Sequence, residues 1–145
     1  MKTYKSKFGY KLMLFLTLLF GSMLVFMIYK NEPLEAILSV GGIFLAIYLF
    51  VLYINFSTIY TITDAGVLIV KSGFVYNQRF DIQKIKSVRK TTNIMSSPAP
   101  SLDRLELTYG KFDIIVISPK NKIDFARELK KINPRIKNDL EILSS

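Results

Sequence analysis

The chain has no cysteine, no histidine and no tryptophan. Without cysteine there is no disulfide framework, no thiolate nucleophile and no sulfur ligand for a metal. Without histidine there is no Ser-His-Asp arrangement and no imidazole ligand. Acidic residues are few, 11 against 20 lysines and arginines, which leaves a formal charge of +9. Asp64, Asp81, Asp103, Glu106, Asp113, Asp124 and Glu128 are scattered and mostly stand beside cations, a pattern of surface solvation rather than of a catalytic pair. The phosphate loop G-x-x-x-x-G-K-[ST], the G-x-G-x-x-G fingerprint and the H-E-x-x-H helix are also missing. No catalytic residue, cofactor or metal site is expected, and the chain does not read as an enzyme.

What the chain has instead is two uncharged apolar runs, 12–29 and 36–54. At about 1.5 Å rise per residue, each run as a helix approaches the roughly 30 Å hydrocarbon thickness of a bilayer. The expected architecture is a two-span hairpin around a polar hinge at 30–35, integral to the lipid bilayer. A cleaved signal peptide is the weaker reading of the first run, because no A-x-A-like site follows it and a second full-length run comes directly after. Lys2, Lys5, Lys7 and Lys11 crowd residues 1–11, whereas the hinge holds one lysine against two glutamates. That asymmetry predicts both termini on the cytoplasmic side and the hinge outside. No ionisable residue lies within either run, so the hairpin alone offers no polar path for an ion. Gly42 and Ala46, with Gly21 and Ser22 on the other run, are the expected points of close helix packing.

The remaining residues suffice for one small domain, read as 57–137 with a tail at 138–145. Alternation and turn residues predict strands over 57–63, 67–71, 74–82, 85–92, 102–109 and 112–117. Asp64-Ala65-Gly66, Ser72-Gly73 and Gly110-Lys111 supply the turns, and Pro98 and Pro100 mark residues 93–101 as a loop. Ser118 and Pro119 are placed as the cap and first residue of an amphipathic helix whose inner face is Phe125, Ala126, Leu129 and Ile132. Asn133-Pro134 should stop it. Leu105 and Leu107 are expected inward, with Arg104 and Glu106 outward, and the last residues are expected to add no more than a short turn. The fold class is α+β: a transmembrane helical hairpin followed by a small antiparallel β-barrel or sandwich closed by one C-terminal helix.

Several segments carry a family resemblance: Tyr60-Thr61-Ile62-Thr63, residues 87–93, Ser96-Ser97-Pro98-Ala99-Pro100-Ser101, Arg104-Leu105-Glu106-Leu107 with Tyr109-Gly110, and Ile117-Ser118-Pro119-Lys120 leading to Phe125, Leu129 and Asn133-Pro134. Over residues 57–136 the chain resembles the bacterial pleckstrin-homology (PH)-like family often called YyaB-like. The resemblance implies a PH-like fold behind one or two spans, a bacterial cell membrane location, and a binding or scaffolding role without an assigned activity. Phosphoinositide recognition is not carried over, because the loop between the first two strands is the short acidic Asp64-Ala65-Gly66.

Two constellations are candidate sites. Arg79, Lys84, Lys86, Arg89 and Lys90 form a basic cluster able to meet an anionic leaflet, each cation contributing about 1 kcal/mol; the plainer reading is a solvated sheet edge guarded by lysines. Asn93, Ser96, Ser97 and Ser101 form a small-residue loop able to accept an anion or a peptide carboxylate, or simply to pack beneath a neighbouring strand. The expected function is a membrane-anchored binding or scaffold module that meets a protein or peptide partner or the anionic membrane surface. The alternative is a small accessory or immunity-type protein protecting against a peptide toxin. Nucleic-acid binding is disfavoured, because the cations follow the topology and lack clustered aromatics. The oligomeric state is not legible.

Overall fold

The computed structural model describes residues 1–93 and 99–140. The two apolar runs form helices α1 (Tyr10–Tyr29) and α2 (Leu34–Ser57), both long and apolar enough to cross a membrane, with almost none of their surface buried. They pack on each other through stacked rings of Phe20 and Phe44, 4.3 Å between centroids, and through the hydroxyls of Thr17 and Tyr48, 3.2 Å apart. The close approach passes through Gly41, which lies under Leu24, whereas Gly42 and Gly21 face open space. The expected small-residue contact is thus displaced by one residue on α2.

The first strand precedes the helices. Residues Lys2–Lys5 form β1, which pairs antiparallel with β2 (Thr58–Ile62), Lys5 opposite Ile59. Residues Lys2–Lys5 hold one apolar side chain among lysines and so give no periodicity to read as a strand, but that side chain, Tyr4, supplies what fixes it. Its ring stands edge-on to Phe125 at 5.2 Å and its hydroxyl donates to Asp124 Oδ2 at 2.8 Å. Partial burial and the neighbouring carboxylate push that phenol well above its ordinary pKa. β2 pairs onward with β3 (Val67–Ser72) and β3 with β4 (Tyr76–Asp81), giving a four-stranded antiparallel sheet in the order β1-β2-β3-β4.

A 3₁₀ turn at Ile82–Lys84 leads into the second sheet. There β5 (Ile85–Thr91) pairs with β6 (Arg104–Tyr109) and β6 with β7 (Asp113–Ile117), both antiparallel. After α3 (Lys122–Ile132), Lys137–Asn138 add a short parallel strand, β8, beside β5, so the order is β7-β6-β5-β8. The expected terminal turn is therefore a strand. The two sheets form a sandwich, and among the described residues they do not close into a barrel. The buried core is Tyr60, Leu68, Val70, Ile82, Ile85, Val88, Leu105, Leu107 and Ile117, covered by Phe125, Ala126 and Leu129 of α3.

Two expectations about α3 and β6 change. Asn121 caps the helix, its Oδ1 accepting from the Asp124 amide, rather than Ser118. Ser118 instead ties the sheets together: its amide donates to the Tyr60 hydroxyl at 3.1 Å and its hydroxyl lies 2.9 Å from that of Ser6. Arg104 and Glu106, expected outward, are 8% and 3% exposed, because the second face of β6 is also covered.

The register decides which turns lie next to the helices. β1 ends and β2 begins at the hairpin, so the β3–β4 turn and the segment between β5 and β6 also face it, while Asp64–Gly66 and Gly110 lie at the far end. Residues 5–9 lock the junction. Ser6 N donates to Thr58 O (3.0 Å), Lys7 N to Ser118 O (2.7 Å), Lys120 N to Lys5 O (3.0 Å) and Gly9 N to Asn55 Oδ1 (2.8 Å). A Cβ on Gly9 would fall on the carbonyl oxygen of Pro100, well inside van der Waals contact, and the obstacle is backbone. Gly9→Ala is therefore expected to lower stability by about 1–3 kcal/mol. Gly21→Ala, with open space around it, should be neutral or slightly stabilising; thermal unfolding of the two full-length variants in one detergent makes the comparison.

Candidate anion-binding groove

The hairpin-facing end of the sandwich carries a groove of about 480 Å³, lined by Lys7, Tyr10, Lys11, Lys90, Ser101 and Asp103 among others. Three parts of the chain build it. The approach to α1 supplies Lys7, Tyr10 and Lys11, the end of β5 supplies Lys90, and the residues before β6 supply Ser101 and Asp103. Their meeting follows from the junction just described, since Gly9 fits beneath Pro100 and brings the start of α1 against residues 99–103.

Cations outnumber anions here. Asp103 accepts from Lys7 Nζ at 2.7 Å and also holds Lys122. Desolvation, then the charges of Lys90 and Lys7, lower the Lys122 ammonium to about 8, although Lys122 is ion-paired with Asp103. Lys11 and Lys90 have no ion pair among the described residues. Among the described residues no side chain caps the N-terminus of α1, so the positive end of that helix opens toward the same region. The arrangement suits a phosphate or carboxylate.

The basic cluster read from the sequence is not one patch. Arg79 lies on β4 in the first sheet, and Lys84 lies in the 3₁₀ turn at the far end. Lys86 lines a separate depression with Gln83, Ser87, Asn133, Arg135 and Lys137. Arg89 is engaged by the buried Glu106, Nε donating to Oε1 at 2.8 Å. Only Lys90 reaches the groove, about 13 Å along β5 from Lys86. Of the loop residues, Ser101 lines the groove, and its hydroxyl accepts from the Asp103 amide at 3.2 Å. Ser96 and Ser97 lie outside the described residues.

Asn93 is positioned by a residue that sequence reasoning set outside. The Arg104 guanidinium is buried with no carboxylate partner among the described residues and donates to three backbone carbonyls: Ser101 O at 2.8 Å, Asn93 O at 2.9 Å and Ala99 O at 2.9 Å. Burial lowers its pKa, though a guanidinium keeps its proton. Arg104 thus fixes both described ends of the 93–101 segment, and Ser101 with them. The signal was weak, since an arginine alternating with leucines reads as solvent-facing. In the sequence, Lys7 and Lys11 stand out only as cations that set the topology. Among the described residues, no grouping of carboxylates is able to hold a metal ion.

Arg104→Met removes the donors while keeping an unbranched side chain, and leaves buried carbonyls unpaired. A loss of about 1–3 kcal/mol is expected for each carbonyl left unsatisfied. Faster amide hydrogen exchange at 99–103 than in β2 and β3, measured by mass spectrometry, would check that the loss is local. Unchanged exchange at 99–103 would deny Arg104 its clamping role.

Residues 58–133 match the family model described as Bacterial PH domain, which covers just over half of the chain. Neither a curated protein nor a solved structure matches it. The matched segment runs from β2 to the end of α3, leaving β1, both long helices and β8 outside. On that match, and on a two-sheet sandwich completed by a C-terminal helix, the chain belongs to the bacterial PH domain family.

Proposed function

We propose that this chain is a membrane-anchored binding module, with α1 and α2 crossing the bilayer, both termini cytoplasmic, and the groove at the hairpin-facing end holding the phosphate of an anionic lipid. The observation that carries the reading is the position of the lysines. Lys7, Lys11 and Lys90 surround a groove at the point where α1 leaves the sandwich, which for a spanning helix is the headgroup layer. Tyr10 lines the same groove with a largely exposed ring, as residues at a membrane interface do. An anion placed among these cations would relieve the repulsion from Lys90 and Lys7 that adds to desolvation in lowering Lys122.

The orientation rests on charge: lysines before α1 and after α2, and a hinge with two glutamates. The task is binding rather than chemistry. Nothing in the groove activates a nucleophile, and Asp103 is occupied by two ammonium groups. The residues beyond the groove, including the depression beside Lys86, remain open to a protein or peptide partner.

The test uses the full chain in nanodiscs that mix phosphatidylcholine with phosphatidylglycerol, with retained lipid read by native mass spectrometry. The wild type should retain phosphatidylglycerol preferentially, more so at low salt. At about 1 kcal/mol per lysine, Lys11→Gln with Lys90→Gln should weaken that preference by about thirty-fold. Equal retention by both proteins would sink the lipid reading and direct the groove toward a peptide carboxylate.

A further inference from the structure

The β3–β4 turn exposes two adjacent apolar side chains at the hairpin-facing end of the sandwich. Phe74 is 80% exposed and Val75 58% exposed, although core positions one strand away are fully buried. No charge occurs between Lys71 and Arg79, so the turn carries no lysine of its own. Phe112 at the far end is also exposed, at 89%, but it stands between Lys111 and Asp113, whereas Phe74 and Val75 have no charged neighbour in sequence.

Its place in the fold is set by the register. α2 ends at Ser57 and β2 begins at Thr58 with no linker, and Thr58 pairs with Ser72. Any residue beyond Ser72 must therefore run past the start of β2 and alongside the end of α2. Gly73 makes the bend at a left-handed φ of +53°, and its amide donates to Ser57 O at 3.3 Å. A side chain there would stand 2.7 Å from Tyr53 Cε1, so a bare backbone is what lets the turn lie flat on the helix. The Phe74 ring then lies 5.8 Å from Tyr53 and 6.4 Å from Phe50. Phe50 is two turns inside α2 from Ser57, about 10 Å along the axis.

We infer that the turn Gly73 to Val75 is a second membrane contact, inserted between headgroups and acyl chains beside α2, so that the sandwich is held to the bilayer at a point separate from its covalent anchor. The inference rests on α2 being a span, and does not need the lysine groove to bind lipid. The occupant is lipid because the turn's apolar surface is continuous with the exposed apolar surface of α2 at Phe50 and Tyr53. A depth of about 10 Å also matches how far amphipathic surface elements reach.

The chain has no tryptophan, so a single introduced one reports its own surroundings. Phe74→Trp, Val75→Trp, Leu45→Trp at the middle of α2 and Ala65→Trp at the far turn would be made in the full chain and reconstituted into vesicles. Emission would be recorded with brominated phosphatidylcholine and with aqueous acrylamide. The Phe74→Trp and Val75→Trp proteins should emit to the blue of the Ala65→Trp protein, with at least three-fold stronger quenching by brominated lipid and correspondingly weaker quenching by acrylamide. Behaviour like that of Ala65→Trp at both turn positions would overturn the inference. So would blue emission that brominated lipid leaves unquenched, which would assign the turn to a protein contact. Leu45→Trp reports the span itself: if it too escapes lipid quenching, the membrane reading fails and the turn's role with it. Adding Lys11→Gln and Lys90→Gln should leave the Phe74→Trp depth unchanged, which separates this contact from the groove.

Discussion

Everything in this molecule depends on one pairing: β1 and β2 are antiparallel neighbours, yet the whole helical hairpin is inserted between them. The backbone ladder carries on to Ser6 N and Thr58 O, directly at the point where α2 ends. Paired strands lie about 4.8 Å apart and packed helices about 8–10 Å apart, so the chain must step sideways between the ladder and α1. Residues 6–9 make that step without becoming a loose linker. Lys7 bonds to the exit of β7, and Gly9 bonds to the side chain of Asn55. A flexible tether would let the domain sample many orientations, whereas this junction permits one.

A fixed orientation gives the two ends of the sandwich different chemistry. The antiparallel register sends the β3–β4 turn, residues 99–103 and the start of α3 toward the helices. It sends Asp64–Gly66 and the far end of α3 away, where Gly66 packs near Ile132 and Asp64 takes the N-terminal ammonium. Asp103 is the carboxylate that lines the groove at the helix end, shared by two lysines. The acidic loop that argued against phosphoinositide recognition therefore lies remote from the lysines of the groove. An anion approaching along the helices meets the lysine end first.

What the sequence made legible was whatever had periodicity of its own. The two apolar runs, the six strands from β2 to β7 and the inner face of α3 all stand where alternation or helical spacing put them. β1 and β8 were not legible, because a strand added to a preformed sheet needs only backbone pairing and one good contact, Tyr4 on Phe125 for β1. The Ser118 cap failed for a related reason: Asn121 offers equivalent chemistry three residues later, and Ser118 is wanted between the sheets. Arg104 and Glu106 mislead by type, since alternation assigns charged residues to water unless a partner across the sheet is known. Of the candidate site residues, Lys90 and Ser101 line the groove, but grouping cations by sequence distance joined Lys84, Lys86 and Lys90 along a strand whose ends are far apart.

Two buried polar side chains explain why the groove has a defined shape. Asn55 sits at the end of an apolar helix, where an unpaired amide is costly, and its bonds to Gly9 N and Val51 O are both made in this packing. Arg104 is likewise buried, with no counter-charge among the described residues, and is satisfied when Asn93, Ala99 and Ser101 present their carbonyls to it. The two act on opposite sides of one short strip. Asn55 draws Gly9 in until it lies against Pro100, while Arg104 holds the residues flanking Pro100. Shifting the strip in either direction would strand a buried donor. Lys7 and Lys11 flank Gly9 in sequence, and Ser101 and Asp103 continue from Pro100, so the same two side chains set how far apart the walls of the groove stand.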